Sequence, residues 1–274
     1  MSDSIKKYSI DIGIIRCISM VMIVICHIAT GVGNSAIGQV FQVGVQVFLF
    51  ISGFLYGSKP INDVKVWIKN RILKICIPCY VFIIILVSVE LVLKMKVSFW
   101  TLLLYLFNLQ GVRQIYPNAT VALIVGAEHL WFISVIILCY IMYVVIDKCK
   151  FLRKTMKEHP VVLLSLFFIT CIFIGMFGIR IDFFWVFLCG AALSGREISR
   201  ARLKYIGLSI MMVITVLLRL VMKQYCDDNG DTVFYLFVVI PTAYNCLAIW
   251  IFYTIKLIVN MFINLNQRLF SFCI

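Results

Sequence analysis

The sequence predicts an all-α integral membrane protein, a polytopic bundle of about eight or nine transmembrane helices. Of its 274 residues, 63% are hydrophobic and only 14% are charged, which excludes a soluble globular domain. The apolar residues form runs long enough to cross a lipid bilayer as helices. The basic residues collect in the short segments between these runs, as is typical of cytoplasmic loops. No linker or internal repeat divides the chain, so residues 1–274 are predicted to form a single domain.

The positive net charge and the cysteines are both consistent with a membrane protein. The net charge of +13 does not predict nucleic-acid binding, because the basic residues form no face with aromatic stacking sites outside the apolar runs. The eleven cysteines lie mostly inside apolar runs and lack paired metal-ligand spacing. We therefore predict no metal site and interpret the cysteines as small buried apolar residues.

Three spans are predicted in the first half of the chain, at residues 12–30, 39–57 and 75–93. Lys6 and Lys7 precede the first span, whereas the loop that follows it, residues 31–38, has no charge. The N-terminus is therefore predicted to be cytoplasmic. The basic loop at residues 58–74 is placed on the same side, and Pro78 falls in the first turn of the predicted third span, where a missing amide donor matters least.

The next apolar segment, residues 98–111, is short for a crossing. We predict that it is re-entrant or interfacial, because the basic segment at residues 147–159 then lies inside, as the positive-inside rule requires. Five further spans complete eight crossings, at residues 129–146, 161–178, 181–194, 205–222 and 233–257. The basic loop at 195–204 is then inside and the acidic segment at 227–231 outside. Residues 270–274 resemble the start of another helix with no room to span, so a final helix is expected to be missing by truncation.

Arg16 and His27 are the two residues of the first span that a lipid-facing helix would not accept without a reason. On a helix they lie about 16 Å apart along the axis and near the same face. Ionisable groups within a span generally line a path enclosed by protein, so we expect the His27 ring to be buried and facing inward. A neutral imidazole can accept a proton near neutral pH; the alternative is a helix-to-helix hydrogen bond. Arg16 either binds charge or extends to the cytoplasmic interface.

Basic residues at the cytoplasmic end of the third span form a second candidate site. Lys69, Arg71 and Lys74 would suit a phosphate-rich ligand arriving from the cytoplasm, although the positive-inside bias alone would also supply them. In the second span, Ser52 and Gly53 form a Ser-Gly pair. This pair is explained either by close helix packing or by a catalytic serine.

The span that begins near residue 129 opens with the sequence EHLWF. Trp131 suits the aromatic belt at a membrane interface, and His129 is predicted to lie outside, on the side that His27 approaches. The alternative for His129 is a polar residue at a membrane boundary. His159, which precedes a proline, is interpreted as an ordinary surface residue. A structural role is predicted for four other polar residues near span ends: Glu90, Arg180, Asp182 and Arg219.

Four stretches occur along the chain in order: Arg16 and His27 separated by ten residues, VFLFISGFLY at 47–56, KNRILKICIPCY at 69–80 and HLWF at 129–132. In this combination the chain resembles acyltransferase family 3, integral-membrane enzymes that include O-acetyltransferases of bacterial surface polysaccharides. Residues 187–190 add a weaker similarity. Two positions differ from the family pattern: Gly13 stands where an acidic residue is common, with Asp11 two residues earlier, and Lys74 stands where arginine is usual.

The resemblance implies a multi-pass O-acyltransferase of the bacterial cytoplasmic (inner) membrane. Its donor substrate would be acetyl-CoA or another acyl-CoA, with no permanently bound cofactor, and its acceptor a hydroxyl of a cell-surface carbohydrate or a lipid-linked precursor. His27 is expected to be catalytic, and four basic residues to bind the acyl donor: Arg16, Lys69, Arg71 and Lys74. Supporting roles are expected for Asp11, Ser52, Gly53, Glu128, His129 and Trp131.

Two other functions are compatible with the same residues. A transporter or flippase-like protein could line a permeation path with Arg16 and His27 and change no bond. The sequence shows no paired discontinuous helices in matching halves, which such proteins often have. An inactive, truncated acyltransferase would retain the motifs without the activity.

Overall fold

A computed structural model describes residues 2–57, 60–95, 97–116, 124–194, 201–230 and 232–272. Helices make up 85% of the structure, and these residues contain no strand, which confirms the predicted all-α fold. The chain divides into two compact units. The first comprises Met1–Ser58 and Cys189–Ile274, and the second comprises Lys59–Leu188.

The helices follow one another along the chain with short connections. They are α1 (Ser2–Gly31), α2 (Ser35–Phe41), α3 (Val43–Gly57), α4 (Val64–Val92), α5 (Phe99–Leu106), α6 (Val112–Ile115), α7 (Trp131–Lys148), α8 (Lys150–Glu158), α9 (Pro160–Gly175), α10 (Asp182–Leu193), α11 (Ala201–Asn229), α12 (Thr232–Phe234) and α13 (Ile240–Phe272). A 3₁₀ turn at Glu128–Leu130 precedes α7, and a π-helical turn at Tyr235–Val239 joins α12 to α13.

Helix α3 forms the centre of the first unit, with eleven of its 15 residues buried. Its glycines allow other helices to approach closely. At Gly44, a Cβ atom would lie only 2.9 Å from the Ser19 carbonyl oxygen of α1, so only glycine fits this contact without a shift. On another face, the Phe50 ring centre lies 4.8 Å from that of Phe252 in α13. The apolar run that predicts the second span therefore packs mainly against protein.

The second unit has a core between α4, α5 and the turn before α7. Its buried members include Cys79, Ile83 and Tyr105, and the Tyr105 hydroxyl donates a hydrogen bond to the Ala127 carbonyl. Glu90, which is buried, accepts a hydrogen bond of 2.8 Å from the Val125 amide. The structural role predicted for Glu90 fits this bond, since it closes the loop onto α4.

Two other polar groups near span ends also have contacts of a structural kind. The Arg180 guanidinium makes two hydrogen bonds of 3.2 Å to the Asp182 carboxylate. The Arg219 guanidinium carbon lies 5.3 Å from the ring centre of Tyr244. These contacts offset the cost of placing charges in an apolar environment.

Five segments are long and apolar enough to cross a membrane. They are Asp11–Gly31, Ser35–Gly57, Val64–Val92, Trp131–Lys148 and Thr232–Val259. The bent pair α8 and α9 provides a sixth if it is counted as one span. These apolar helices fit a multi-pass membrane protein. The predicted number of eight or nine crossings is not confirmed, because α10 is shorter than these spans and α11 is not among them.

The short segment at 98–111 contains α5, of eight residues, and ends at Gly111, the N-cap of α6. At 1.5 Å per residue, α5 is about 12 Å long and cannot cross a bilayer by itself. This length is what the sequence predicts for a re-entrant or interfacial segment.

The third span begins eleven residues earlier than predicted. The Asp63 side chain accepts a hydrogen bond of 3.0 Å from the Val66 amide and caps α4 at its start. The basic residues that follow therefore lie on the helix and not in a loop, and Pro78 lies inside the helix and not in its first turn. The expectation failed because a strong N-cap outweighs the polar character of the first turns.

Candidate functional site

His27 lies on α1 in the first unit, four residues before the helix ends at Gly31. The residue is exposed, so the expectation of a buried imidazole is wrong. The buried face of α1 includes Ile12, Ile15 and Ser19, and His27 lies about 80° round the helix from Ser19. The packing of α1 thus leaves the imidazole accessible at the surface of the structure.

Arg16 lies on the same helix where α1 packs against α3. Its side chain is half-buried, and its guanidinium carbon lies 5.8 Å from the ring centre of Phe48. A cation over an aromatic face is stabilised by the ring quadrupole. Arg16 is therefore held by a contact on α3 in addition to any contact at the membrane interface.

Ser52 and Gly53 are both buried in α3. The Ser52 hydroxyl donates a hydrogen bond of 2.8 Å to the Phe48 carbonyl of its own helix. This intrahelical bond is typical of a structural serine in an apolar environment. Of the two explanations for the Ser-Gly pair, the geometry favours close packing.

The basic residues of α4, in the second unit, do not share one face. Arg71 is half-buried with its guanidinium carbon 5.7 Å from the Trp67 ring centre, and Lys74 follows one turn later. Lys69 is exposed and, two residues before Arg71, points to the opposite side of the helix. Arg71 and Lys74 thus form a pair from which Lys69 is separate.

Trp67 fixes the position of Arg71 by packing on α7. The Trp67 ring centre lies 5.6 Å from that of Tyr140 and 6.3 Å from that of Tyr143. An arginine over a ring that is itself packed loses less freedom when it binds an anion. The arrangement suits binding of a phosphate or carboxylate group.

His129 and Trp131 lie where the chain enters α7. His129 is exposed in the 3₁₀ turn, with its ring centre 5.6 Å from that of Phe82. The Trp131 ring centre lies 5.4 Å from that of Phe183. The side chain of Glu128 lies outside the described residues. The predicted approach of His27 to His129, and of Arg16 to the basic residues of α4, stays a prediction, because the two groups belong to different units.

A family model described as an acyltransferase domain matches residues 8–273, essentially the whole chain. The chain belongs to this acyltransferase family. The resemblance inferred from the four motif stretches is thereby confirmed. Comparison with curated proteins and with solved structures gave no match. The family supports a membrane acyltransferase in general.

Three residues of this acyltransferase were not singled out by its sequence. Trp67 is one of them, because its ring lies against the Arg71 guanidinium. Asp147, which is buried at the end of α7, accepts a hydrogen bond of 3.2 Å from the Ile61 amide just before α4. Its other oxygen lies 3.6 Å from Arg153 Nε. Asp147 therefore anchors the segment that leads into the basic helix.

Lys256 of α13 is the third such residue. Its ammonium nitrogen lies 5.2 Å from the Phe54 ring centre, and its charge interacts with that of Asp11, which is buried in α1. The supporting role expected for Asp11 thus has a counterpart on the last helix. The sequence does contain a signal for Lys256, since it is a lone lysine in an apolar run. A charge in such a run generally has a partner.

Proposed function

We propose that this membrane acyltransferase moves an acyl group, most simply acetyl, from cytoplasmic acyl-CoA to a carbohydrate hydroxyl. The acceptor is a cell-surface carbohydrate or its lipid-linked precursor, and the product is an O-acyl ester. The family match over residues 8–273 carries the proposal. The chemistry further requires a proton acceptor and a site for the phosphates of the donor.

His27 supplies the proton acceptor. The acceptor oxygen attacks the thioester carbonyl while neutral His27 takes the hydroxyl proton, and the carbon–sulfur bond then breaks to release CoA. The imidazolium returns its proton to the leaving thiolate, which restores the neutral ring. Alternatively, the ring takes the acyl group first and passes it to the hydroxyl.

The donor phosphates are assigned to the basic residues. Arg71, over the Trp67 ring, offers two parallel N–H groups to a phosphate, and Lys74 adds a second positive charge one turn along α4. Donor binding by Arg16 and by Lys69 stays a prediction from the resemblance, because Lys69 points away from this pair and Arg16 belongs to the other unit. Acyl-CoA acts as a substrate that leaves after each turnover, and no permanently bound cofactor takes part.

The same proposal places the protein in the bacterial cytoplasmic membrane with its N-terminus inside. Lys6 and Lys7 near the start of α1, and the basic residues at the start of α4, support this orientation. It brings the donor site to the compartment that contains acyl-CoA. The macromolecular partners are the lipid bilayer and a glycan, and no nucleic acid is involved.

The test is transfer of label from acetyl-CoA by the purified full-length protein. His27→Ala should lower the transfer rate by about 100- to 10,000-fold, the range typical of a lost general base. His159→Ala is the matched control, because His159 is an exposed histidine between α8 and α9. Its rate should equal that of the wild type.

Normal transfer by folded His27→Ala protein would show that His27 is not the base. Wild-type protein that neither hydrolyses nor transfers the acetyl group, but moves an intact solute across vesicles, would contradict the enzyme proposal. The acceptor is then identified by mass analysis of surface glycans from cells with and without the gene, since the added mass reports both acyl group and carrier.

A further inference from the structure

Helix α8 (Lys150–Glu158) differs from the other helices because its two faces have opposite character. Its basic side chains fall within a narrow arc of the helix, and its apolar side chains lie on the opposite side. The basic residues are Lys150, Arg153, Lys154 and Lys157. The apolar residues are Phe151, Leu152 and Met156. The high basic content and separated faces are those of helices that lie in the plane of a membrane surface.

The position of α8 in the chain agrees with such a placement. It directly follows α7, a candidate membrane span, and the chain then bends by 111° into α9 at Pro160. Many apolar side chains of α9 are exposed, including Leu166 (60%) and Phe173 (61%), as expected for a helix in contact with lipid. If α9 crosses the membrane, α8 therefore runs close to the membrane plane at one surface.

The apolar face of α8 is only partly covered by protein. Met156 is buried, but Phe151 is 74% exposed. Phe151 lies about 100° round the helix from Lys150. A large aromatic side chain beside a row of cations fits the boundary between lipid headgroups and acyl chains. Lysine side chains can extend from the same helix to the headgroup phosphates.

Two cations of α8 pair with acidic residues that the structure describes. Arg153 lies 3.6 Å from the buried Asp147 carboxylate, and Lys154 lies 3.9 Å from the exposed Glu158. An exposed ion pair of the second kind is weak and easily exchanged. The helix itself carries four basic residues and one acidic residue, and this positive net charge is complementary to anionic headgroups.

We propose that α8 is an interfacial helix that binds the headgroups of anionic phospholipids in the bilayer around the protein. Phe151 enters the acyl-chain boundary, while Lys150, Lys154 and Lys157 contact the headgroup phosphates. Each such cation near an anionic surface contributes on the order of 1 kcal/mol of attraction. The residues of α8 are not among those assigned to acyl transfer, so the proposal of lipid binding does not depend on the proposed enzymatic function.

The test measures lipid selectivity of the full-length protein in phosphatidylcholine bilayers. Spin-labelled phosphatidylglycerol and spin-labelled phosphatidylcholine are compared by the fraction of each that the protein immobilises. The wild type should prefer phosphatidylglycerol, and added salt should weaken the preference. The variant K150Q/K154Q/K157Q should lower the preference at least threefold, while Arg153 is kept because it pairs with Asp147.

A control variant removes three exposed cations elsewhere, as K94Q/R113Q/K223Q. It should keep most of the preference. Glu158→Gln should increase the preference, because it adds one net positive charge to α8 without removing a cation, so the test does not depend on loss of folding. Equal losses in the two triple variants, or no gain in Glu158→Gln, would overturn the proposal.

A final measurement distinguishes binding of bilayer headgroups from binding of free phosphate. Inorganic phosphate and chloride at equal ionic strength should weaken the selectivity equally, since both act by screening. A specific loss with phosphate would show that α8 binds the free anion and would contradict the assignment to lipid.

Discussion

Gly190 shows how a single missing side chain determines the packing of the first unit. A Cβ atom at this position would overlap the Phe50 carbonyl oxygen of α3 and lie 2.9 Å from the Phe54 amide nitrogen. Nearby, the Ser194 hydroxyl donates a hydrogen bond to the Phe54 carbonyl. Backbones this close need small residues, as is common between membrane helices. The family similarity at 187–190 thus has a packing reason.

We therefore expect Gly190→Ala to destabilise the protein by about 1–3 kcal/mol, because the two backbones must separate to admit a methyl group. Gly207→Ala is the control, since Gly207 lies in α11 with open space around its Cα. That change should be neutral or stabilise by up to about 1 kcal/mol through helix propensity. Apparent melting temperatures in detergent measure both. Equal melting temperatures for the two variants would contradict the close contact.

His27 shows what the sequence predicts at this scale and what it does not. The motif spacing identified the residue and its family, because those depend only on the order of side chains. Its burial depends on which face of α1 packs against α3, and α1 is apolar nearly all round. No periodic pattern therefore distinguished the packed face from the exposed one.

At the scale of elements, α4 depends on residues outside it for its position. Asp63 caps its start, and Asp147 of α7 accepts a hydrogen bond from the Ile61 amide two residues earlier. Lys148 donates a hydrogen bond to the carbonyl of the same Ile61. The cap and these two hydrogen bonds hold the start of α4, the helix that carries Trp67 and Arg71. The sequence did not predict it, because residues 61 and 147 are brought together only by the tertiary fold.

Removing the Asp147 carboxylate should therefore cost more than removing a carboxylate from a surface ion pair. Asp147→Ala leaves the Ile61 amide and Arg153 without this partner, and we expect a loss of about 1–3 kcal/mol. The control is Glu158→Ala, whose ion pair with Lys154 is more than half exposed on both sides. That loss should stay below about 0.5 kcal/mol. Thermal unfolding measures both, and similar losses would contradict the anchoring role.

At the scale of the molecule, composition was sufficient to predict an all-α membrane protein. The number of crossings was harder to predict, because runs of similar hydropathy give different helices. Residues 98–111 contain one short helix, α5, whereas residues 64–92 form one helix longer than its apolar part. Hydropathy reports the cost of leaving water but not where caps and turns end a helix.

The direction in which each segment crosses the membrane can be tested on the whole molecule. In a background with Cys149 and Cys226 replaced by serine, single cysteines are introduced as Asn62→Cys, Ser199→Cys and Gln224→Cys. With a cytoplasmic N-terminus and with α10 and α11 both crossing, an impermeant maleimide should label only Gln224→Cys in intact cells. The other two should react after permeabilisation, and the serine background sets the baseline.

Helix α10 has only twelve residues, so its crossing is tested separately. Labelling of Ser199→Cys in intact cells would show that α10 does not cross. Labelling of Asn62→Cys would reverse the orientation and move the proposed donor site away from the cytoplasmic acyl-CoA that it must bind.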